Sequence, residues 1–397
     1  MTSDPVNAAM DQIRKGGIVA IVDDGLACPE LDLAAAAETF SVETLVRMLD
    51  LGTHAVCLPA SGKRLDVLGI PVRESRSLKP LDRGADVTAT VGLNDLDLGN
   101  EDECFVQVVR ALASSNFTKF DFCSPGPVTP IRARDGGVLR RLGHTEAAVD
   151  LVMLAGLAPV AVTVRVDEIG VELGDVLPQE IVGKLWIPVV RISEIVHHRR
   201  TSERLVYRVS EARIPTEHGV FQAIAFHDTT TREDHVALTF GEIADDPVPL
   251  VRVHSECLTG DVFGSLRCDC GDQLAAAMER IAAEGCGVVL YMRQEGRGIG
   301  LANKLRAYEL QDGGLDTVDA NNHLGFAADL RDYGVGVQIL RGLGITDIRL
   351  ITNNPKKTEG FRAYGLNVIE QLPLTVQPSE HNRRYLDTKR TRMGHTL

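Results

Sequence analysis

The chain has 397 residues, enough for two domains that each bury a core. Its 44% apolar and 24% charged content is that of a globular protein, and a net charge of −13 argues against non-specific nucleic-acid binding, which needs a basic face. No apolar run approaches the roughly 20 residues that span a bilayer, and no basic-then-apolar leader is visible, so a cytoplasmic protein without membrane or nucleic-acid partners is expected.

In chain order, residues 17–22 predict a buried strand and residues 33–51 a helix. A block from Arg132 to Leu151 contains His144-Thr145-Glu146, in which Thr145 is a helix N-cap candidate and His144 reads as a satisfied polar residue. Residues 197–204 are polar throughout, which predicts a first domain over 1–197, a linker over 198–204 and a second domain over 205–397. Residues 205–212 alternate like an edge strand, and 223–227 with 235–240 suggest a hairpin. Helical patterns follow at 273–284, 301–311 and 326–343, alternating with strands at 287–292 and 348–352. The fold class expected is α+β: two domains, each a mixed sheet with packed helices. The polar tail after Leu374, which contains Tyr385, is expected to dock.

Eight cysteines without an extracellular pattern argue against a disulfide framework. Cys28, Cys57, Cys104, Cys123 and Cys286 lack ligand-like spacing and read as packing residues. Cys257, Cys268 and Cys270 differ. On an extended segment Cys268 and Cys270 point to one side, and Gly260 and Gly264 allow the turn that returns Cys257 to them. Three thiols are one ligand short of a structural zinc site, whereas catalytic zinc keeps one position for water. The bland reading is a group of buried thiols, or a zinc ribbon completed by His254 or His323. Tyr291-Met-Arg-Gln-Glu-Gly-Arg-Gly-Ile-Gly300 follows an apolar strand and precedes a helix, an arrangement of free backbone N–H groups suited to an anion, with Arg293 and Arg297 adding phosphate donors. Leu301, Leu305 and Tyr308 share a helix face, so periodicity alone makes Tyr308 a core residue. Asp329 and Arg331 read as a solvated helix face. Thr352-Asn-Asn-Pro-Lys-Lys357 reads as a phosphate or base-recognition loop, or as an ordinary strand-turn-helix connection.

Together these blocks resemble GTP cyclohydrolase II over roughly residues 205–397: Arg-Val-His-Ser-Glu-Cys-Leu-Thr-Gly-Asp, Leu-Arg-Cys-Asp-Cys-Gly, Arg-Gln-Glu-Gly-Arg-Gly-Ile-Gly-Leu, Asp-Thr-Val-Asp-Ala-Asn, Leu-Ile-Thr-Asn-Asn-Pro-Lys-Lys and the terminal Met-Gly-His. The resemblance implies that Cys257, Cys268 and Cys270 hold Zn²⁺. It assigns Arg252, Val253, His254, Ser255, Glu256, Gln273, Glu295, Gly296, Arg297, Thr317, Thr352 and Lys357 to GTP, which Mg²⁺ would accompany at the phosphates. Asp329 would be the general base, Arg331 would engage the α-phosphate, and Tyr308 would serve the second hydrolytic step, overriding its core reading. The implied products are 2,5-diamino-6-(5-phosphoribosylamino)pyrimidin-4(3H)-one, formate and pyrophosphate, the first step of riboflavin biosynthesis.

The first half resembles 3,4-dihydroxy-2-butanone 4-phosphate synthase, with departures. Where that family has the acidic loop Asp-Asp-Glu-Asp-Arg-Glu-Asn-Glu-Gly-Asp, this chain reads Asp23-Asp24-Gly25-Leu26-Ala27-Cys28-Pro29-Glu30-Leu31-Asp32. The phosphate-binding arginine has become Ala27 and a metal-ligating glutamate Cys28, a thiol that hard Mg²⁺ does not favour. Pro-Gly-His has become Pro125-Gly126-Pro127, the Thr-Gly-Ile-Ser segment is missing, and a glutamate aligns with Arg165. Asp24, Asp32, His144, Thr145 and Glu146 remain. The expectation is a folded but inactive domain beside a working cyclohydrolase, in a homodimer as both families form. The alternatives are a bifunctional enzyme that also uses ribulose 5-phosphate, a cyclohydrolase that stops at a formamidopyrimidine, and a non-catalytic GTP-binding regulator.

Overall fold

The computed structural model describes residues 4–25, 30–52, 55–73, 86–95, 100–166, 187–326, 333–374, 376, 377, 380 and 382–393. The chain divides into two compact units, Met1–Arg199 and Arg200–Leu397. Each unit is a mixed sheet with packed helices, the α+β class expected.

Among the described residues the strands of the first unit are β1 Val19–Asp23, β2 Glu30–Ala36, β3 Val56–Ser61, β4 Asp86–Val87, β5 Val91–Leu93, β6 Phe122–Val128, β7 Pro130–Ala133, β8 Ala161–Arg165 and β9 Val189–Arg191. Seven form one sheet in the order β4-β7-β3-β8-β2-β1-β9, and β5 pairs with β6. Along β1, Ala20 and Val22 enter one core while Val19 and Ile21 enter a second. That alternation is what a strand covered on both faces requires. Helices α1 Pro5–Arg14, α5 His144–Leu154 and α6 Ile192–Ser202 supply the second core. Helices α2 Val42–Leu51, α3 Gly62–Val67 and α4 Glu101–Ala113 supply the first.

Three expectations need correction. The segment read as a helix from residue 33 begins as strand β2, because Leu31, Leu33 and Ala35 face one core and Ala34 and Ala36 the other, and helix starts only after Ser41 caps Thr44. Thr145 does not cap α5. That helix starts at His144 after Gly143, without a side-chain cap. The stretch read as a linker is helical through Ser202, because Ile192, Ile195 and Val196, just before the polar run, form a buried stripe.

The second unit contains β10 Val206–Thr216, β11 Gly219–Asp228, β12 Asp234–Phe240, β13 Leu250–Ser255, β14 Gly287–Met292, β15 Asp347–Ile351 and β16 Asn367–Leu372, in the order β10-β11-β12-β14-β13-β15-β16. From β10 through β11 and β12 to β14 the pairing is antiparallel, with β10 at the edge and β11–β12 as the expected hairpin. From β14 through β13 and β15 to β16 the pairing is parallel. The described helices of the unit are α7 Cys270–Glu284, α8 Leu301–Asp312, α9 Thr317–His323, α10 Tyr333–Gly342, α11 Pro355–Ala363 and α12 Arg383–Met393. The helix expected over 326–343 is found from Tyr333 to Gly342. Asp329 and Arg331 lie outside the described residues. The tail docks as α12, whose Arg392 pairs with Asp316 and, at 2.9 Å, with Asp319. No described helix is long and apolar enough to cross a membrane. The parallel strands β13, β14 and β15 end at Ser255, Met292 and Ile351, and the loops leaving those ends carry the motifs, the usual position of a site in a parallel sheet.

Candidate active site

Cys257 leaves the end of β13 and is followed by a π-helical turn, Leu258–Val262; Cys268 and Cys270 stand at the start of α7. The ligand atoms of the three cysteines lie within 4.8 Å of one another, and Cys257 Sγ is 3.6 Å from Cys268 Sγ. Two sulfurs at about 2.3 Å from a tetrahedral zinc would be about 3.8 Å apart, so the donor set and its spacing fit that ion. The turn reaches this geometry through Gly260, where a Cβ would stand 2.9 Å from Cys268 Sγ and 3.1 Å from Cys257 Sγ. Bonds from the Cys268 and Cys270 thiols and then the nearby Lys304 ammonium hold the Cys257 thiol far below its usual range, against the opposing effect of burial. The contact with Cys257, together with burial, pushes the Cys268 thiol up. Of the two candidate fourth ligands, His254 is bound elsewhere and His323 is exposed; neither joins the cluster.

His254 is buried, and its Nε2 stands 3.1 Å from both carboxylate oxygens of Asp261. Asp261 also accepts the Cys257 backbone N–H at 2.9 Å and the Tyr291 hydroxyl at 2.8 Å. Burial, with Arg252 and Lys357 adding to it, lowers the His254 pKa against the pull of Asp261. The ring is therefore neutral and stacks on Tyr291 with centroids 5.5 Å apart. This carboxylate ties the end of β13, β14 and the first cysteine into one rigid wall.

One cavity is bounded by the three cysteines, by Arg252, His254, Ser255 and Glu256 at the end of β13, by Glu295 and Gly296 after β14, and by Gln273, Tyr308, Thr317, Thr352 and Lys357. Apart from the cysteines and Tyr308, these are the residues that the resemblance assigned to GTP, and two that it assigned are not among them. Val253 packs in the core, and its carbonyl accepts Lys357 Nζ at 2.9 Å. The Arg297 side chain lies outside the described residues. Arg252 donates to Gln273 Oε1 at 2.6 Å and to the Ile351 carbonyl at 3.0 Å, linking β13, α7 and β15.

Several site residues were not read from the sequence. On α8, Leu301 and Leu305 are exposed, whereas Lys304 and Ala307 are buried and Tyr308 lines the cavity. The helix thus turns inward the stripe beside the one its leucines suggested, with Tyr308 common to both. Lys304 Nζ donates to Cys257 Sγ at 3.1 Å and to Glu295 Oε1 at 2.7 Å. Burial opposes its charge, but Glu295 and Cys257 outweigh burial and raise its pKa, so it remains an ammonium. Thr259 meets the Tyr308 hydroxyl at 3.4 Å and Asn321 adds an amide to the wall, beside Asn353 and Asn354 of the loop that the sequence read as a recognition loop. The i, i+4 pair Lys304 and Tyr308 was the available signal.

In the first unit, Asp32 lies across the β2–β8 ladder from Arg165, whose guanidinium pairs with both Asp32 and Glu30. His144 Nε2 is 4.0 Å from Asp32 and 3.2 Å from the Glu30 carbonyl. Asp24 accepts from the Ser193 backbone N–H at 3.2 Å and from its hydroxyl. Thr145 is half-buried in the first turn of α5. Glu146 is fully buried, accepts the Arg134 backbone N–H at 2.9 Å and pairs with Arg141 at 3.4 Å. Burial pushes its carboxyl up. Ala27 and Cys28 lie outside the described residues. Asp32 and His144 are thus brought together, and Asp24 is held by Ser193.

The family model for GTP cyclohydrolase II matches residues 207–373, and that for 3,4-dihydroxy-2-butanone 4-phosphate synthase matches residues 7–198. Riboflavin biosynthesis protein RibBA of Mycobacteroides abscessus is 46% identical over 99% of this chain and 96% of its own length. The chain belongs to the RibBA family. RibBA of Bacillus cytotoxicus is 42% identical over 99% of this chain and 98% of its own length. The crystal structure of RibBX, a two-domain 3,4-dihydroxy-2-butanone 4-phosphate synthase from A. baumannii, covers 94% of this chain and 99% of its own with a TM-score of 0.69 at 25% identity. Among RibBA proteins the likeness extends through both domains, so the expected degeneration of the first finds no support in family membership.

Proposed function

We propose that the second domain is a zinc-dependent GTP cyclohydrolase II releasing 2,5-diamino-6-(5-phosphoribosylamino)pyrimidin-4(3H)-one, formate and pyrophosphate, the first step of riboflavin biosynthesis. The convergence of Cys257, Cys268 and Cys270 on the wall of the cavity that also gathers Arg252, Glu295, Thr352 and Lys357 carries this reading. Bound there, zinc would act as a Lewis acid toward water and the purine carbon that leaves as formate. The chain's own groups bind and orient. Lys357 and the glycine-rich loop after β14 supply positive charge and backbone donors for the phosphates, which Mg²⁺ accompanies. Gln273 and Arg252 hold one another at 2.6 Å as a fixed pair facing the base. Tyr308, with its hydroxyl near Thr259, serves the second hydrolysis. Asp329 as general base and Arg331 at the α-phosphate rest on the family resemblance alone. The protein would work in the cytoplasm as a homodimer. Mass spectrometry of products from GTP with Zn²⁺ and Mg²⁺ tests the reading in wild type and Cys268→Ser; undiminished turnover in the variant would sink it.

The first domain has two readings, each with its own support. Membership of the RibBA family and the synthase match over residues 7–198 favour a bifunctional chain that also converts ribulose 5-phosphate into 3,4-dihydroxy-2-butanone 4-phosphate. Against activity stand Arg165, paired with Asp32 and Glu30 where a metal would need free carboxylates, and the loss of the acidic loop. The comparisons weigh toward the bifunctional reading. Incubating the full chain with ribulose 5-phosphate and Mg²⁺ and following formate and the four-carbon phosphate decides between them.

A further inference from the structure

Lys304 is a buried cation whose place in the site is not explained by GTP. It is 8% exposed, and its Nζ bridges Cys257 Sγ at 3.1 Å and Glu295 Oε1 at 2.7 Å. A merely structural account would make it the counter-ion of Glu295. That carboxylate, however, already has backbone donors: Leu258 N–H reaches Oε2 at 2.7 Å and Gly296 N–H reaches Oε1 at 2.9 Å. Glu295 therefore fixes the lysine as much as the lysine fixes it. The ammonium is held between a braced carboxylate and a sulfur, and a full positive charge is costly to bury without a task.

We propose that Lys304 is a positioning residue that tunes the three-sulfur centre by donating a hydrogen bond to the Cys257 thiolate. The proposal rests on the zinc reading of the second domain. Three thiolates around a divalent ion carry one surplus negative charge, and each donates electron density that weakens the ion as a Lewis acid. A hydrogen bond from an ammonium draws density from one sulfur and offsets the surplus, leaving the ion more electron-poor and water on it more acidic. Glu295 sets the reach of Lys304, because its own orientation is fixed from the Cys257–Leu258 turn and from the glycine-rich loop. The loop that faces the nucleotide and the sulfur nearest it are thereby mechanically linked.

The test uses the full chain with Co²⁺ in place of zinc, in wild type, Lys304→Met and Lys304→Arg, with Cys257→Ser marking the band that belongs to the centre. Wild type should show sulfur-to-cobalt charge transfer that Cys257→Ser diminishes. In Lys304→Met the freed thiolate is the better donor, so the band should move to longer wavelength. With zinc, its kcat should fall about tenfold while KM for GTP changes less than about threefold, the split expected when a group acts on the transition state and not on binding. Lys304→Arg keeps the charge and should return the band toward wild type. A Lys304→Met band at the wild-type position would overturn the proposal, leaving the lysine a counter-ion of Glu295. Absence of the band in wild type would instead refute the zinc reading itself. Should Lys304→Met not fold, Lys304→Gln, a neutral donor still able to meet Glu295, is read by the same band and the same criterion.

Discussion

His235 Nδ1 accepts the backbone N–H of Arg293 at 3.0 Å, joining the start of β12 to the first residue of the glycine-rich loop after β14. With Nδ1 accepting, the ring carries its proton on Nε2, which faces Asp228 Oδ2 at 3.8 Å. The loop that would cradle the phosphates is thus anchored from outside the cavity. His235→Phe keeps a ring of similar size and removes the acceptor from a buried N–H. It should cost about 2 kcal/mol of stability in calorimetry and about tenfold in kcat/KM for GTP. Wild-type turnover in the variant would show that the loop holds its position without this anchor.

Asp228 gives that anchor a pH dependence. Burial opposes its ionisation. The nearby His235 ring and bonds from the Thr230 hydroxyl and N–H and from the Thr231 hydroxyl outweigh burial and bring its carboxyl down from 3.8 to about 2. A depressed carboxyl stabilises the fold above its unfolded value and loses that contribution as pH falls through the folded one. The gain of about 2–3 kcal/mol should be whole at pH 7 and fade between about pH 4 and 2. Unfolding free energies of wild type and Asp228→Asn should therefore differ most at neutral pH and converge in acid. A pH-independent gap would assign the loss to packing.

At Gly260 the constraint is steric, since its backbone angle is one any residue adopts. A Cβ there would press on Cys268 Sγ at 2.9 Å and on Cys257 Sγ and Cys270 Cβ at 3.1 Å. Gly260→Ala should spread the sulfurs, reduce bound zinc to less than about half an equivalent and lower turnover at least tenfold, with little change in helix content by circular dichroism. Full zinc occupancy in this variant would mean that the turn relaxes around the methyl group.

The parts of the site legible in the sequence were those whose meaning is local. Cys268 and Cys270 are two apart, and the glycines from 296 to 300 announce a tight loop. What escaped was set by tertiary packing. Lys304 sits in a helix whose leucines suggested a neighbouring stripe as the inward face, and only the surrounding fold turns Leu301 and Leu305 outward. Nothing local marks Asp261, yet it binds His254, Cys257 and Tyr291, residues drawn from two strands and a loop. Strand β2 was misread for a related reason: an alanine-rich strand buried on both faces lacks the alternation that marks an exposed one.

Tyr308 offers the sharpest separation of binding from chemistry. Its hydroxyl lies 3.4 Å from Thr259 Oγ1, which is itself 3.6 Å from Cys257 Sγ, and its ring carries Arg267 at 5.0 Å from the centroid. Burial raises its pKa against Lys304 and Thr259, so at neutral pH it is a proton donor and not a phenolate. Tyr308→Phe preserves the ring, its packing and the cation above it, and removes only the donor. If the hydroxyl serves the second water addition, pyrophosphate release should persist within about tenfold of wild type while formate release falls by at least about a hundredfold, the range in which a positioned proton donor contributes. A formamidopyrimidine should then accumulate, detectable as a product retaining carbon 8. Equal loss of pyrophosphate and formate would place Tyr308 in the first step or in binding, and a lowered affinity for GTP measured by calorimetry would distinguish those two.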